Sequence, residues 1–209
     1  MKHLILLGDS VFDNAAYVGG GPDVAAQLRR QAPEGWRVTL RAVDGSVVSG
    51  VRRQLFELPP DATHLVVSVG GNDALRRAGI LEERARSAAE VLGRLADIVE
   101  EFTFAYRDMM GGVLARGLPV AFCTIYYPRF TDPLTQRLAM TALSVFNDVI
   151  VREVVAAGAP LLDLRLICDE DSDYANPIEP SASGGAKIAA AILRLLRRHR
   201  FEGTTEVFK

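Results

Sequence analysis

The sequence predicts an α/β fold built on a parallel sheet, and three observations carry that prediction. Short apolar runs bounded by turn residues recur along the chain, and the intervals between them carry helical patterns. The chain has 209 residues, 49% of them hydrophobic, enough to bury a full core. That length suits one domain over residues 1–209 better than two.

Taken in order, the apolar run His3 to Leu7 reads as the first strand, followed by a helix over Gly21 to Gln31. Arg37 to Ala42 is the second strand, Ser46 to Leu55 a helix, and His64 to Val69 the third strand. The clearest helix spans Glu82 to Arg116, where Ala88, Leu92, Leu95, Val99, Phe102, Tyr106, Met109 and Val113 recur three and four residues apart in one apolar stripe. That stripe is a core face. Val120 to Thr124 and Pro160 to Leu164 complete the strands, and helices over Pro133 to Ala157 and Ser181 to His199 flank the latter. Strands this apolar are buried on both faces, and right-handed crossovers place all their C-terminal ends at one edge, where open α/β sheets receive ligands.

Composition narrows the function classes. Lys+Arg 24 against Asp+Glu 26 leaves a formal charge of -2, with no polybasic run to suit nucleic acid or an anionic membrane. The cluster RLLRRHR, Arg194 to Arg200, reads as a basic last helical turn. Cys123 and Cys168 are too few for a disulfide framework or a zinc knuckle, which fits a reducing compartment. HLILL is too brief for a signal-peptide core and no stretch approaches a membrane span, so a cytoplasmic protein is expected.

Three segments after strands concentrate glycine and small polar residues. GDS, Gly8 to Ser10, makes a sharp turn that leaves the Ser10 hydroxyl at the sheet edge as a candidate nucleophile, although an isolated loop serine is more often a cap or turn residue. In VDGSVVSG, Gly45 can present a bare backbone N–H, and in SVGGNDAL, Asn72 can aim an amide N–H into the same space. A nucleophile with two neutral donors is the minimum set for stabilising an oxyanion in acyl transfer.

These blocks resemble those of the SGNH hydrolases, the GDSL lipase and esterase superfamily, over nearly the whole chain. Ser10 matches the nucleophile position, Gly45 the oxyanion glycine across a one-residue gap, and GGND places Asn72 as the oxyanion asparagine. GDS followed by GGND at strand ends is far more specific than either alone. The resemblance implies a three-layer α/β/α sandwich on a five-stranded, flavodoxin-like parallel sheet. It also implies hydrolysis of a small-molecule ester through an acyl-enzyme with no metal or other cofactor. The family's final block is Asp-x-x-His before the last helix. Here it reads Asn176-Pro177-Ile178-Glu179.

No other histidine replaces the missing one. His3 lies on Ser10's own strand, roughly 20 Å away at about 3.3 Å per residue and toward the opposite edge. His64 opens the third strand, and His199 ends the last helix, about 25 to 30 Å from Glu179. All three read as surface or edge residues. Two readings follow: Glu179 takes the Ser10 proton, or the site is that of a non-catalytic binding protein with Glu179 resting near a helix N-terminus. An ordinary Glu titrates near about 4.3, below the range of an effective base at neutral pH; burial raises that value, and a helix N-terminus or an Asn176 amide hydrogen bond lowers it. The paired change favours a rebuilt site, because an amide at position 176 orients a carboxylate without the repulsion of an aspartate.

Supporting residues are expected around this set. Asp9 and Asp73 hold their loops through backbone N–H groups. Asp13 is a second-choice base or substrate contact, with a loop carboxylate as the simpler reading. Tyr126 and Tyr127, in IYYPRF with Phe130, either line an acyl or sugar pocket or pack the loop. The run DEDSD, Asp169 to Asp173, opens like a calcium loop but has Tyr174 and Pro180 where Gly and Glu are required, so it reads as a solvated loop or a negative rim.

Overall fold

The computed structural model describes residues 1–201 and the strand at 207–208. In chain order the elements are β1 (Lys2–Gly8), α1 (Val24–Gln31), β2 (Trp36–Leu40), α2 (Val51–Phe56), β3 (His64–Ser68), α3 (Gly71–Arg76), α4 (Ala88–Leu114), β4 (Val120–Cys123), α5 (Pro133–Ala156), β5 (Leu161–Leu162), α6 (Leu164–Ile167), β6 (Tyr174–Asn176), β7 (Glu179–Pro180), α7 (Ala182–Arg198) and β8 (Val207–Phe208).

The main sheet runs β2-β1-β3-β4-β5-β8, parallel throughout. Its first five members follow the flavodoxin-like order, which reverses between β1 and β3 and opens a crevice at their C-terminal ends. β8 adds a two-residue sixth strand beside β5, too short to leave a periodic signal. Alternation along β1 builds two cores. Leu4 and Leu6 pack with Val24, Leu28, Ile188 and Ile192 of α1 and α7, whereas Ile5 and Leu7 pack with Leu55, Tyr106, Val113 and Ile150 of α2, α4 and α5. A strand buried on both sides and helices on both faces make the three layers.

Several helix boundaries fall inside those expected, each for a local reason. Asp23 caps α1 by accepting from Ala26 N, so that helix opens at Val24, after Pro22. Ser87 caps α4 by accepting from Glu90 N while the Glu90 side chain accepts from Arg86 N, and residues 78–82 form a separate 3-10 turn. The Ser46 to Leu55 helix divides into a 3-10 turn at Val48–Gly50 and α2. Among the described residues no helix is long and apolar enough to cross a membrane.

Candidate active site

β1 ends in a turn that only glycine permits. Gly8 has φ +126°, and a Cβ there would stand 1.7 Å from the Ser68 carbonyl oxygen. The buried Gln54 side chain of α2 braces this turn as a neighbouring strand would. Its Oε1 accepts from Gly8 N at 2.7 Å and its Nε2 donates to Gly8 O at 2.8 Å. Asp9 N donates to Ser68 O, and Asp9 Oδ1 accepts from Val11 N at 3.1 Å. The chain is thereby turned so that Ser10, 7% exposed, faces the crevice.

Opposite it stands Glu179, delivered by a small hairpin. β6 and β7 pair antiparallel with Asn176 opposite Glu179, and Pro177 and Ile178 form the loop. Asn176 Oδ1 accepts from both Ile178 N and Glu179 N at 3.0 Å. The hairpin is fastened from three sides: Tyr126 OH donates to Ile178 O at 2.6 Å, Arg129 N to Pro177 O at 2.7 Å, and Asn14 Nδ2 to Pro180 O at 3.1 Å. The Ser10 hydroxyl donates to Glu179 Oε1 at 3.1 Å, while Glu179 Oε2 is buried with no hydrogen-bond partner.

Burial dominates the electrostatics. It pushes Glu179 up to about 7, against the lowering effect of the Ser10 hydrogen bond, with Asp44 adding to the rise. Burial also pushes Asp9 up to about 8, countered by its hydrogen bond from Val11 N and reinforced by the negative charge of Glu179. Glu179 thereby exchanges its proton closer to neutral pH than an ordinary carboxyl, and Asp9 holds its own more tightly still. A base in that condition matches its task.

Ser10, Asn72, Asp9, Tyr126 and Glu179 line one cavity of about 190 Å3. Asn72, at the start of α3, donates through Nδ2 to Ser46 O at 3.0 Å, and the Ser10 backbone N–H has no partner among the described residues. Gly45 is not among the lining residues. Its φ of +74° bends the 43–46 turn and thereby presents the Ser46 carbonyl to Asn72. Asp73 Oδ2 accepts from Val48 N, and Asp13 Oδ2 accepts from Asp44 N. Asp13 and Asp73 thus support the loops from outside the cavity.

Tyr127 also stands outside the cavity, its carbonyl accepting from Tyr174 OH. Asn176 acts on Glu179 through the backbone, since it is the oxygen of its amide that is engaged there and the contact falls on N–H groups. The acidic run is exposed from Asp169 to Ser172, as expected of a solvated loop, but it is anchored. Lys187 of α7 pairs with Asp169, Glu170 and the fully buried Asp173, and Arg129 with Asp171, tying the loop down before the hairpin. His3 is buried beside Thr39 and Asp61, at the edge of the sheet opposite the crevice; His64 packs at a tilt against Trp36, and His199 follows α7. No histidine lines the cavity that holds Ser10.

Four buried amides escaped the reading of the sequence: Asn14, Gln27, Gln54 and Asn147. Asn147 clamps Ile125 after β4 as Gln54 clamps Gly8 after β1, accepting from Ile125 N at 2.8 Å and donating to Ile125 O at 2.9 Å. For Gln27, Gln54 and Asn147 the one sequence signal is a carboxamide on the apolar face of a helix, where burial demands that both ends be bonded, whereas Asn14 lies in the loop after β1 and carries no such signal.

The GDSL-like Lipase/Acylhydrolase family model matches residues 6–187. No curated protein sequence matches the chain. Among solved structures, a lipase from a goat rumen metagenome is 18% identical with a TM-score of 0.72, over 97% of this chain and 100% of its own. The extracellular lipase of Streptomyces rimosus is 15% identical with a TM-score of 0.67, over 94% and 99%. The acetyl xylan esterase AlAXEase is 13% identical with a TM-score of 0.68, over 93% and 99%. At such identities these neighbours share the fold. The match of the family model over most of the chain goes further: this protein belongs to the GDSL-like lipase/acylhydrolase family.

Proposed function

We propose that the protein hydrolyses an ester of a small molecule, with Ser10 as nucleophile and Glu179 as its general base. The observation that carries this reading is the hydrogen bond from Ser10 Oγ to Glu179 Oε1 at 3.1 Å, made by a carboxylate that titrates near about 7. In the first step Ser10 Oγ bonds to the ester carbonyl carbon and its proton passes to Glu179. The carbonyl oxygen becomes an oxyanion received by the Ser10 N–H and the Asn72 amide. Collapse breaks the bond to the leaving oxygen, which takes the proton from Glu179 and departs as the alcohol. A water molecule then attacks the acyl-enzyme, again giving its proton to Glu179, and the acid is released with Ser10 restored.

The unpartnered Glu179 Oε2 suits this cycle, because it leaves a second acceptor for the leaving oxygen or the attacking water. A binding protein that had lost its chemistry would have no need to keep a carboxylate desolvated against a serine hydroxyl, an arrangement that costs stability. The test is hydrolysis of short p-nitrophenyl esters between about pH 6 and 9, with Ser10→Ala and Glu179→Gln alongside. Turnover lost in both variants supports the reading. Wild-type inactivity, together with no labelling of Ser10 by a serine-reactive phosphonate, overturns it.

A further inference from the structure

The cavity beside Ser10 is lopsided in its chemistry. Its acidic and amide groups come from the strand-end loops and the hairpin, as Asp9, Ser10, Asn72 and Glu179. From there it passes between α4 and α5, lined by Ile98, Ala142, Leu143 and Phe146, and toward the surface by Leu75 and Leu81, both partly exposed. Only Thr135 and Arg77 interrupt this wall with polar side chains, and the Arg77 guanidinium is already paired with Glu101. No unpaired cation waits there for a carboxylate or phosphate, and no row of donors for a sugar. An apolar wall of this kind recognises hydrocarbon.

We infer that this cavity holds the acyl chain of the substrate, and that the chain is an unbranched aliphatic one of about six to eight carbons. This rests on the hydrolytic reading above. The length follows from volume: about 190 Å3 is somewhat more than the roughly 150 Å3 of an apolar cavity that holds the six carbons of benzene. One or two further carbons reach Leu75 and Leu81 at the mouth. The acyl group thus lies on the α4–α5 side of Ser10, and the leaving alcohol departs on the other. There the surface is polar and acidic, with Tyr17 OH donating to Asp44 Oδ2 and Asp44 N to Asp13 Oδ2.

The test compares kcat/KM for p-nitrophenyl esters from acetate to dodecanoate in the wild type, in Ala142→Phe and in Thr141→Phe. Ala142 lines the cavity, whereas Thr141 is exposed on α5 and does not, so the second variant carries the same ring outside the site. In the wild type kcat/KM should rise about fourfold per added methylene up to hexanoate or octanoate and then level off or fall. Ala142→Phe should cut the octanoate-to-acetate ratio at least about tenfold, and Thr141→Phe should leave that ratio alone. A preference for acetate, or a ratio equal in all three proteins, overturns the inference while leaving ester hydrolysis intact.

A binding arm separates the two claims. Ser10→Ala is titrated calorimetrically with 1-octanol and with ethanol. Octanol binding that Ala142→Phe abolishes in the same background supports the apolar occupant even if the wild type hydrolyses nothing, in which case only the catalytic reading falls. Failure of Ser10→Ala to bind octanol counts against the cavity's assignment directly.

Discussion

Ser10 and Glu179 lie 169 residues apart in sequence and 3.1 Å apart in space, hydroxyl to carboxylate, with the second carboxylate oxygen left unpartnered. Five hydrogen bonds, two to Asn176 Oδ1 and one each from Tyr126, Arg129 and Asn14, hold that distance on the Glu179 side, and Gln54 holds it on the Ser10 side. Each can be tested by removing it.

Gln54 fixes the turn from which Ser10 acts. Gln54→Met removes both bonds to Gly8 and leaves its buried N–H unpaired, while the Gly8 carbonyl still accepts from Val43 N, at a cost of about 1–3 kcal/mol. Its mark beyond stability is kinetic: kcat should fall about tenfold or more with KM changed by less than about threefold, because the nucleophile is misaimed while the acyl cavity is untouched. Gln54→Glu keeps the acceptor for Gly8 N and should lie between the two. Steady-state kinetics and thermal melts of the same preparations separate the two effects.

Asn176 fixes where Glu179 sits, and a charge at the same position would change where Glu179 titrates. Asn176→Asp preserves an acceptor for the N–H groups of Ile178 and Glu179 but places a second carboxylate beside Glu179. Like charges raise the ionisation point, so the inflection in the pH–rate profile should move above about 7. Asn176→Ala, which has no acceptor, should instead lose about 1–2 kcal/mol of stability and loosen the hairpin. Adding Glu179→His to Asn176→Asp restores an imidazole and should support ester hydrolysis with an inflection at a histidine's own value.

Stability should fall as the pH rises. Burial lifts Glu179 from 4.5 to about 7 and Asp9 from 3.8 to about 8 in the folded protein, so between the unfolded and folded values the native state binds more protons than the unfolded chain. Stability is then greatest near and below about pH 4 for these two groups and is lost as the pH climbs through 7 and 8. Glu179→Gln should remove its share of that decline up to about pH 7, and Asp9→Asn its share over the whole range up to about pH 8. Melting temperatures measured between pH 5 and 9 give the comparison. A pH dependence unchanged in Glu179→Gln and in Asp9→Asn would mean that the two carboxyls are ionised at little cost.

Much of the fold could be read from the order of apolar runs, because strands buried on both faces leave a compact signal: the limits of β1, β2, β3 and β4 each fall within two residues of those expected. The β6–β7 hairpin could not be read, since strands of two and three residues have no period, and its shape comes from an Asn176 turn and three contacts with distant segments. Glu179 stood out as a chemical oddity in the sequence, yet whether burial or hydrogen bonding governs its ionisation depends on tertiary packing. Gly45 is legible as a motif glycine, and the structure adds that its φ of +74° makes the bend that brings the Ser46 carbonyl to Asn72.

The claim on which the rest depends is that Glu179 removes the Ser10 proton. The rate at which a serine-reactive phosphonate labels Ser10, followed from pH 5 to 9 by mass spectrometry in the wild type and in Glu179→Gln, reads that proton transfer without needing the natural substrate. The wild-type rate should rise through a single ionisation near pH 7 and reach a plateau, and the variant should react at least about a hundredfold more slowly with no inflection. Equal rates in the two proteins, or an inflection that survives the loss of the carboxylate, would contradict the assignment.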